Sequence, residues 1–436
     1  MEKLKIAFSA ILFALTFLAC EPPLEQEFIS TDIDHFWQAY DQVVAAKDSI
    51  AKTQILQESF LSAASPGQES IMLVRNYTPE EYLNIMEAYP QFWASIREQT
   101  TSVVDHYPAI EQNIRALQKA YPALQPVPIY FTMGAFRSGG TTHEGKVLIG
   151  SELSLANEET VIDELPDWRQ PFYREAVPVN GLPLLCAHEY IHTQQKEIQE
   201  DLLLKCMYEG VAEFVSCMAT DTPSFSPAIA FGQANQERVF EQFTKDLFLR
   251  DNDFNWLWGQ NNNDLAVRDL GYYIGYEICE RYYEKAADKQ QAVAELIELD
   301  YTDTDRVEGI VNASGLFPKP VAEMRAEFEA ARPRVTSIVE FENGATGIDP
   351  ALERISVRFS QTLNGFHAGI DYGPLGEDYC PKMDPFSREW AVDSTGYSVA
   401  VALEPNTKYQ FAISSNFRNA AGVRIQPYVI EFETGE

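Results

Sequence analysis

The sequence predicts a multidomain protein: a mostly α body of the α+β class with a small sheet, followed by an all-β sandwich. Three observations lead there. Apolar residues recur at helical spacing over about 33–121 and again over about 181–333. Two short apolar runs, "PVPIYFTMGAF" and "KVLIGSEL", separate these regions. From about Val335 the period becomes two, in "ISVRFS", "YSVAVAL", "YQFAISS" and "YVIEFET", with "EPNTK" and "NAAGV" as turns.

The chain opens with Lys3 and Lys5, an apolar run from Ile6 to Ala19, and Cys20 after a small residue. That run is shorter than the roughly 20 residues a bilayer span needs, and it fits a cleaved secretory signal. With Cys at the cut it resembles a bacterial lipoprotein signal. The resemblance implies acylation of Cys20 and a lipid-anchored protein of the bacterial cell envelope, expected at the outer membrane. The short acidic, Pro-rich stretch "EPPLEQEF" then reads as a tether. The expected division is 1–20 signal, 21–31 tether, 32–333 helical body and 334–436 β module.

Formal charge is −32, from 65 acidic and 33 basic side chains. Such a surface repels phosphate backbones, which excludes nucleic acid as a partner class. Six cysteines are present, and with Cys20 set aside an odd number remains without regular spacing. A disulfide scaffold is therefore not expected. No pattern in the chain predicts an oligomeric state.

In the body, "DIDHFWQAYDQVV" places Ile33, Phe36, Trp37, Tyr40 and Val43 on one helical face. Helices continue to about 121, opened by Thr78-Pro79 and interrupted by prolines. The two apolar runs read as the strands of a hairpin, with "RSGGTTHEG" as its turn. "NGLPLLCAHEYIHTQQKEI" then restarts a helix, with Gly181 outside it, Pro183 in its first turn, and Ile198 still on its buried face.

That helix carries His188-Glu189-x-x-His192. Residues four apart stack on one helical face, so two imidazoles can meet one ion. A catalytic zinc takes three protein ligands and keeps a fourth position open. The next helix, in "MYEGVAEF", offers Glu209 as the third ligand, with Gly210 removing bulk where helices crowd. Glu213, one turn later, is placed to orient a ligating histidine. Two acids on an apolar helical face are costly to bury without a cation. Cys206, three residues earlier, is the alternative ligand.

His-Glu-x-x-His followed by Glu-Gly-x-Ala-Glu resembles the gluzincin metallopeptidases, including predicted bacterial zinc proteases. The likeness spans about 32–333 and takes in "GAFRSGGTTHEGKVLIGSE" and "DLGYYIGYEICERYY". It implies a zincin-like catalytic domain with Zn2+ held by His188, His192 and Glu209, Glu189 as the proton-transfer residue, and a peptide or protein substrate. Tyr272, Tyr273 and Tyr276 are candidate oxyanion donors, and the resemblance favours Tyr272. The same region is similar to lipoproteins implicated in bacterial gliding, which implies the alternative: a non-catalytic envelope binding or assembly protein with a structural or vestigial metal. The β module is similar to bacterial Ig-like domains, carrying "LEPNTKYQFAIS" and "NAAGVRIQPYVIEFET". Its segment "GFHAGIDYGPLGEDYCPKMDPFSREW" is longer than such connections usually are.

Overall fold

The computed structural model describes residues 26–175, 177–259 and 263–436. The expected lipidation residue, Cys20, lies outside the described residues. No described helix is long and apolar enough to cross a membrane.

The chain is multidomain, with two separate apolar cores. The first runs from Ile33 to Met324 and is built mainly by helices; the second begins at Val335. The expected first helix forms over Thr31–Ala45 and buries Ile33, Phe36, Trp37, Tyr40 and Val43. Just before it, the last part of the expected tether joins the fold: β1 (Phe28–Ile29) pairs in parallel with β2 (Ile129–Thr132).

The small sheet differs from the expected hairpin. β2 runs parallel to β4 (Lys146–Gly150), and β3 (Gly140–His143), which comes between them in the chain, pairs antiparallel on the far side of β4. The sheet order is β1-β2-β4-β3, so β3 is an edge. Four of the nine residues of the expected glycine-rich turn thus form a strand. The true turn is Glu144-Gly145, both with positive φ (46° and 69°), as a two-residue hairpin of matching twist demands. Its polar Gly-Thr-Thr-His composition is that of an edge strand rather than a buried one. The loop from Met133 to Gly139 is held from inside by buried Glu152, which accepts N–H bonds from Gly134 (2.9 Å) and Phe136 (3.1 Å).

Three helices build the candidate site. The motif helix, Pro178–His192, starts five residues before Pro183, so Pro183 sits inside it and Gly181 is not outside. Pro178 occupies the first turn, where a missing N–H costs nothing. The helix ends at His192 rather than continuing to Ile198: Gln194 and Gln195 both donate N–H to the Ile191 carbonyl and close a turn. The glutamate helix, Leu202–Thr220, opens on Asp201, whose carboxylate accepts from Leu203 and Leu204. The tyrosine helix, Leu270–Lys285, packs on it through facing glycines. A side chain on Gly210 would lie 2.1 Å from the carbonyl carbon of Gly275, so the two backbones touch.

The C-terminal unit consists of two antiparallel sheets. One holds β5 (Val335–Ile338), β6 (Arg354–Phe359), β10 (Gly396–Ala402) and β8 (Lys382–Met383), with β9 (Glu389–Trp390) also on β10. The other orders β12 (Tyr428–Glu433), β11 (Lys408–Ile413) and β7 (Ile370–Tyr372). Alternate residues Ile355, Val357 and Phe359 share one core with Tyr409, Phe411 and Ile413. The long insertion supplies β7, β8 and β9, adding strands to both sheets. Asp251 of the helical body accepts from Arg418 and Arg424 of this unit, and Arg332 donates to the carbonyls of Arg424 and Ile425.

Candidate metal centre

His188 and His192 project from the same face of the motif helix, and Glu209 meets them from the glutamate helix. Nε2 of His188 lies 3.0 Å from Nε2 of His192. Oε2 of Glu209 lies 3.2 Å from the second ring and 3.4 Å from the first. His188 and Glu209 are buried, and His192 is at the margin of burial, 9% exposed.

The outward nitrogens explain why these atoms face one another. His188 Nδ1 lies 2.9 Å from Oε2 of Glu213, whose other oxygen accepts from Ser224 Oγ. An ionised carboxylate only accepts, so His188 carries its proton on Nδ1. His192 Nδ1 lies 2.7 Å from Oε1 of Gln195. The Gln195 amide nitrogen donates to the Tyr208 carbonyl (3.0 Å) and to the Tyr301 hydroxyl (3.2 Å), which fixes its oxygen toward His192. With both Nδ1–H groups committed, two ring lone pairs and a carboxylate are left pointing into one space. Three acceptors so close repel unless a cation or proton lies between them.

The spacing suits a small cation of zinc's size. Ligands about 2.0–2.1 Å from a tetrahedral zinc stand about 3.3 Å apart, and the three atoms match that edge within a few tenths of an ångström. Two imidazoles and one carboxylate are also a donor set that zinc accepts. The His188, His192 and Glu209 group can therefore hold a metal ion.

Electrostatics follow the same geometry. Burial disfavours the His188 imidazolium, but Glu209 and Glu213 outweigh it and raise the ring well above its usual range. Burial pushes the Glu209 carboxyl up, while His192 and His188 pull it further down, to well below the usual carboxylate range. Burial raises Glu189, which His192 and His188 only partly offset. The Glu189 carboxylate lies against the edge strand: a Cβ on Gly140 would come within 2.6 Å of Oε1.

Among the three candidate tyrosines, Tyr272 lies over the site, its ring stacked on His188 with centroids 6.1 Å apart. Its phenol is raised well above its usual range by burial and by the Glu209 charge, so it stays protonated. Tyr273 stacks on Phe240, and Tyr276 packs edge-on to Phe214. Cys206 packs against Gly271 and is not part of the ligand group. His143 ends β3 beside Glu144, also outside that group. Arg137 turns to Glu81 and the carbonyls of Arg75 and Asn76.

Sequence patterns did not signal Gln195, Tyr208, Ser224 or Trp258. Tyr208 stacks on His192, centroids 4.4 Å apart. Gln195 stands three residues after the second motif histidine, but the apparent continuation of the helix masks it; the others come close only through the fold.

No family model matches the chain, and no curated protein matches it. Among solved structures, the crystal structure of the S-layer protein rSbsC(31-844) aligns over 93% of this chain at 11% identity and a TM-score of 0.18. Domains 1–6 of surface layer protein SbsC align over 76% at 14% identity, also with a TM-score of 0.18. This chain spans 45% of each of those chains. Scores so low describe no shared architecture.

Proposed function

We propose that this protein is a zinc-dependent peptidase, working outside the cytoplasm on the bacterial envelope. The observation that carries this reading is the convergence of His188, His192 and Glu209 with Glu189 beside an edge strand. His188 Nε2, His192 Nε2 and Glu209 would hold the ion. Bound there, zinc supplies Lewis acidity that polarises a carbonyl and makes a water acidic enough to ionise near neutral pH.

The chain's own groups do the rest. Glu189, one residue from a ligand and enclosed by burial, takes the proton of the attacking water and returns it to the leaving amine. Its raised pKa suits both directions of that transfer. Tyr272, protonated and stacked on His188, donates to the oxygen that gains charge in the tetrahedral intermediate. The outer edge of β3 offers backbone groups to an extended substrate, and Gly140 keeps that approach clear of Glu189.

The N-terminal pattern ending at Cys20 supports lipid attachment to the outer membrane, where such a substrate would be a peptide or envelope protein. The two-sheet C-terminal unit supports the Ig-like reading, with a role outside the chemistry. The test pairs zinc content with hydrolysis of a mixed peptide pool. Wild type should cleave and bind one zinc per chain, and Glu189→Gln should keep the zinc while losing about 100-fold or more in rate. Equal rates for the two proteins would remove Glu189 from the chemistry.

A further inference from the structure

Tyr272 has a partner that comes from the loop before its helix. The indole Nε1–H of Trp258 donates to the Tyr272 hydroxyl at 3.3 Å. Trp258 is half exposed, while its neighbours Trp256 and Leu257 are buried anchors. Its backbone is left-handed, φ 60°, and its N–H donates to Oδ1 of Asp269 at 2.7 Å. Asp269, the residue preceding the tyrosine helix, is itself left-handed at φ 63°. Two strained residues tied to each other thus hold one large side chain over the site. Such strain persists only where surrounding contacts over-determine it. The Lys205 ammonium lies 5.8 Å from the Trp258 ring centroid and is fixed by Asp253, steadying the loop from below.

The chemistry of the pair is directional. Indole nitrogen donates and never accepts, whereas a phenol has one proton and two lone pairs. The Trp258 contact therefore occupies a lone pair of Tyr272 from the solvent side. The phenolic proton is left to turn the other way, inward to the Glu209 carboxylate and the space above His188.

We propose that Trp258 is a positioning residue for hydrolysis, setting the direction in which the Tyr272 hydroxyl donates. The proposal rests on the peptidase reading above. It assigns Trp258 no contact with the reacting atoms. Its role is to keep Tyr272 in the donor orientation before substrate arrives, so that no reorientation is needed in the transition state.

The test uses the full chain in three variants: Trp258→Phe, Tyr272→Phe and the double substitution. In zinc-loaded protein, Tyr272→Phe should lower kcat about 100-fold, as loss of an oxyanion donor does. Trp258→Phe should lower kcat about 10-fold with KM and zinc content unchanged, as a misplaced group does. The double variant should be no slower than Tyr272→Phe. Losses that multiply, or a Trp258→Phe enzyme as fast as wild type, would overturn the proposal. A second readout needs neither metal nor turnover. In metal-free protein labelled with 5-fluorotryptophan, the 19F resonance lost in Trp258→Phe should move in Tyr272→Phe. Where Trp258→Phe fails to fold, Trp258→Tyr makes the assignment instead, and an unmoved resonance would overturn the contact. A wild type that cleaves no peptide defeats the underlying peptidase reading instead, and the proposal with it.

Discussion

Gly210 and Gly275 meet backbone to backbone. A side chain on Gly275 would lie 1.7 Å from the Cys206 carbonyl oxygen and 2.8 Å from the Gly210 α-carbon. This contact sets how closely the glutamate and tyrosine helices approach. It therefore sets where Glu209 stands relative to Tyr272. Gly275→Ala should force the helices apart and cost about 3 kcal/mol, the upper range for overpacking a core. Gly309 offers the control, because it lies mid-helix with open space around its α-carbon. Gly309→Ala should stabilise by about 0.5–1 kcal/mol. Denaturant midpoints of the two variants should move in opposite directions.

Gly140 has a different task. Its missing side chain leaves room for Oε1 of Glu189, which a Cβ would approach to 2.6 Å. Gly140→Ala should displace the carboxylate and lower kcat about 100-fold, the effect of an ångström-scale misplacement. Zinc content should not change, since the atoms nearest this position all belong to Glu189, which is not a ligand. Measuring both quantities on one preparation separates misplaced Glu189 from a collapsed site.

The outward partners of the histidines should tune metal affinity. Gln195→Met removes the acceptor for His192 Nδ1, and Glu213→Gln removes the charge facing His188 Nδ1. Each should weaken zinc binding about 10- to 100-fold. Chelator competition would read this, and unchanged affinity in both variants would show that ring orientation is fixed by packing alone.

Metal binding should release protons. Without metal, Glu209 and Glu213 raise His188 well above its usual range despite burial, so the ring is charged at neutral pH. Ligation requires the neutral ring. Zinc affinity should therefore climb as pH rises from 6, and level off once pH passes that raised value. Calorimetry in buffers of different ionisation enthalpy should find about one proton released per zinc at pH 7. An affinity independent of pH between 6 and 8 would contradict the charged ring.

What could be read in the chain was what local geometry controls. His188 and His192 are one helical turn apart, and Glu209 and Glu213 repeat that interval on the next helix, so four inward residues follow from period alone. Ile355, Val357 and Phe359 likewise follow from strand alternation. Gln195 was hidden because "TQQKEI" continues a plausible helix past His192, whereas the chain turns there and the Gln195 amide bonds to the Tyr208 carbonyl and the Tyr301 hydroxyl. The parallel pairing of β2 with β4 was hidden by composition, since Gly140–His143 has the polarity of a turn yet pairs as an edge. Pro183 misplaced the helix start because Pro178, five residues earlier, already fills the favoured first-turn position. Trp258 has no periodic signal at all. It is tied to the tyrosine helix by its N–H on Asp269 and its indole on Tyr272, contacts that no local pattern announces.

The most direct measurement is anomalous diffraction at the zinc edge from crystals of the zinc-loaded protein. One strong peak is expected about 2.0–2.2 Å from His188 Nε2, His192 Nε2 and a Glu209 carboxylate oxygen. Density elsewhere, or a peak ligated by the histidines with Glu209 turned away, would contradict this three-ligand centre.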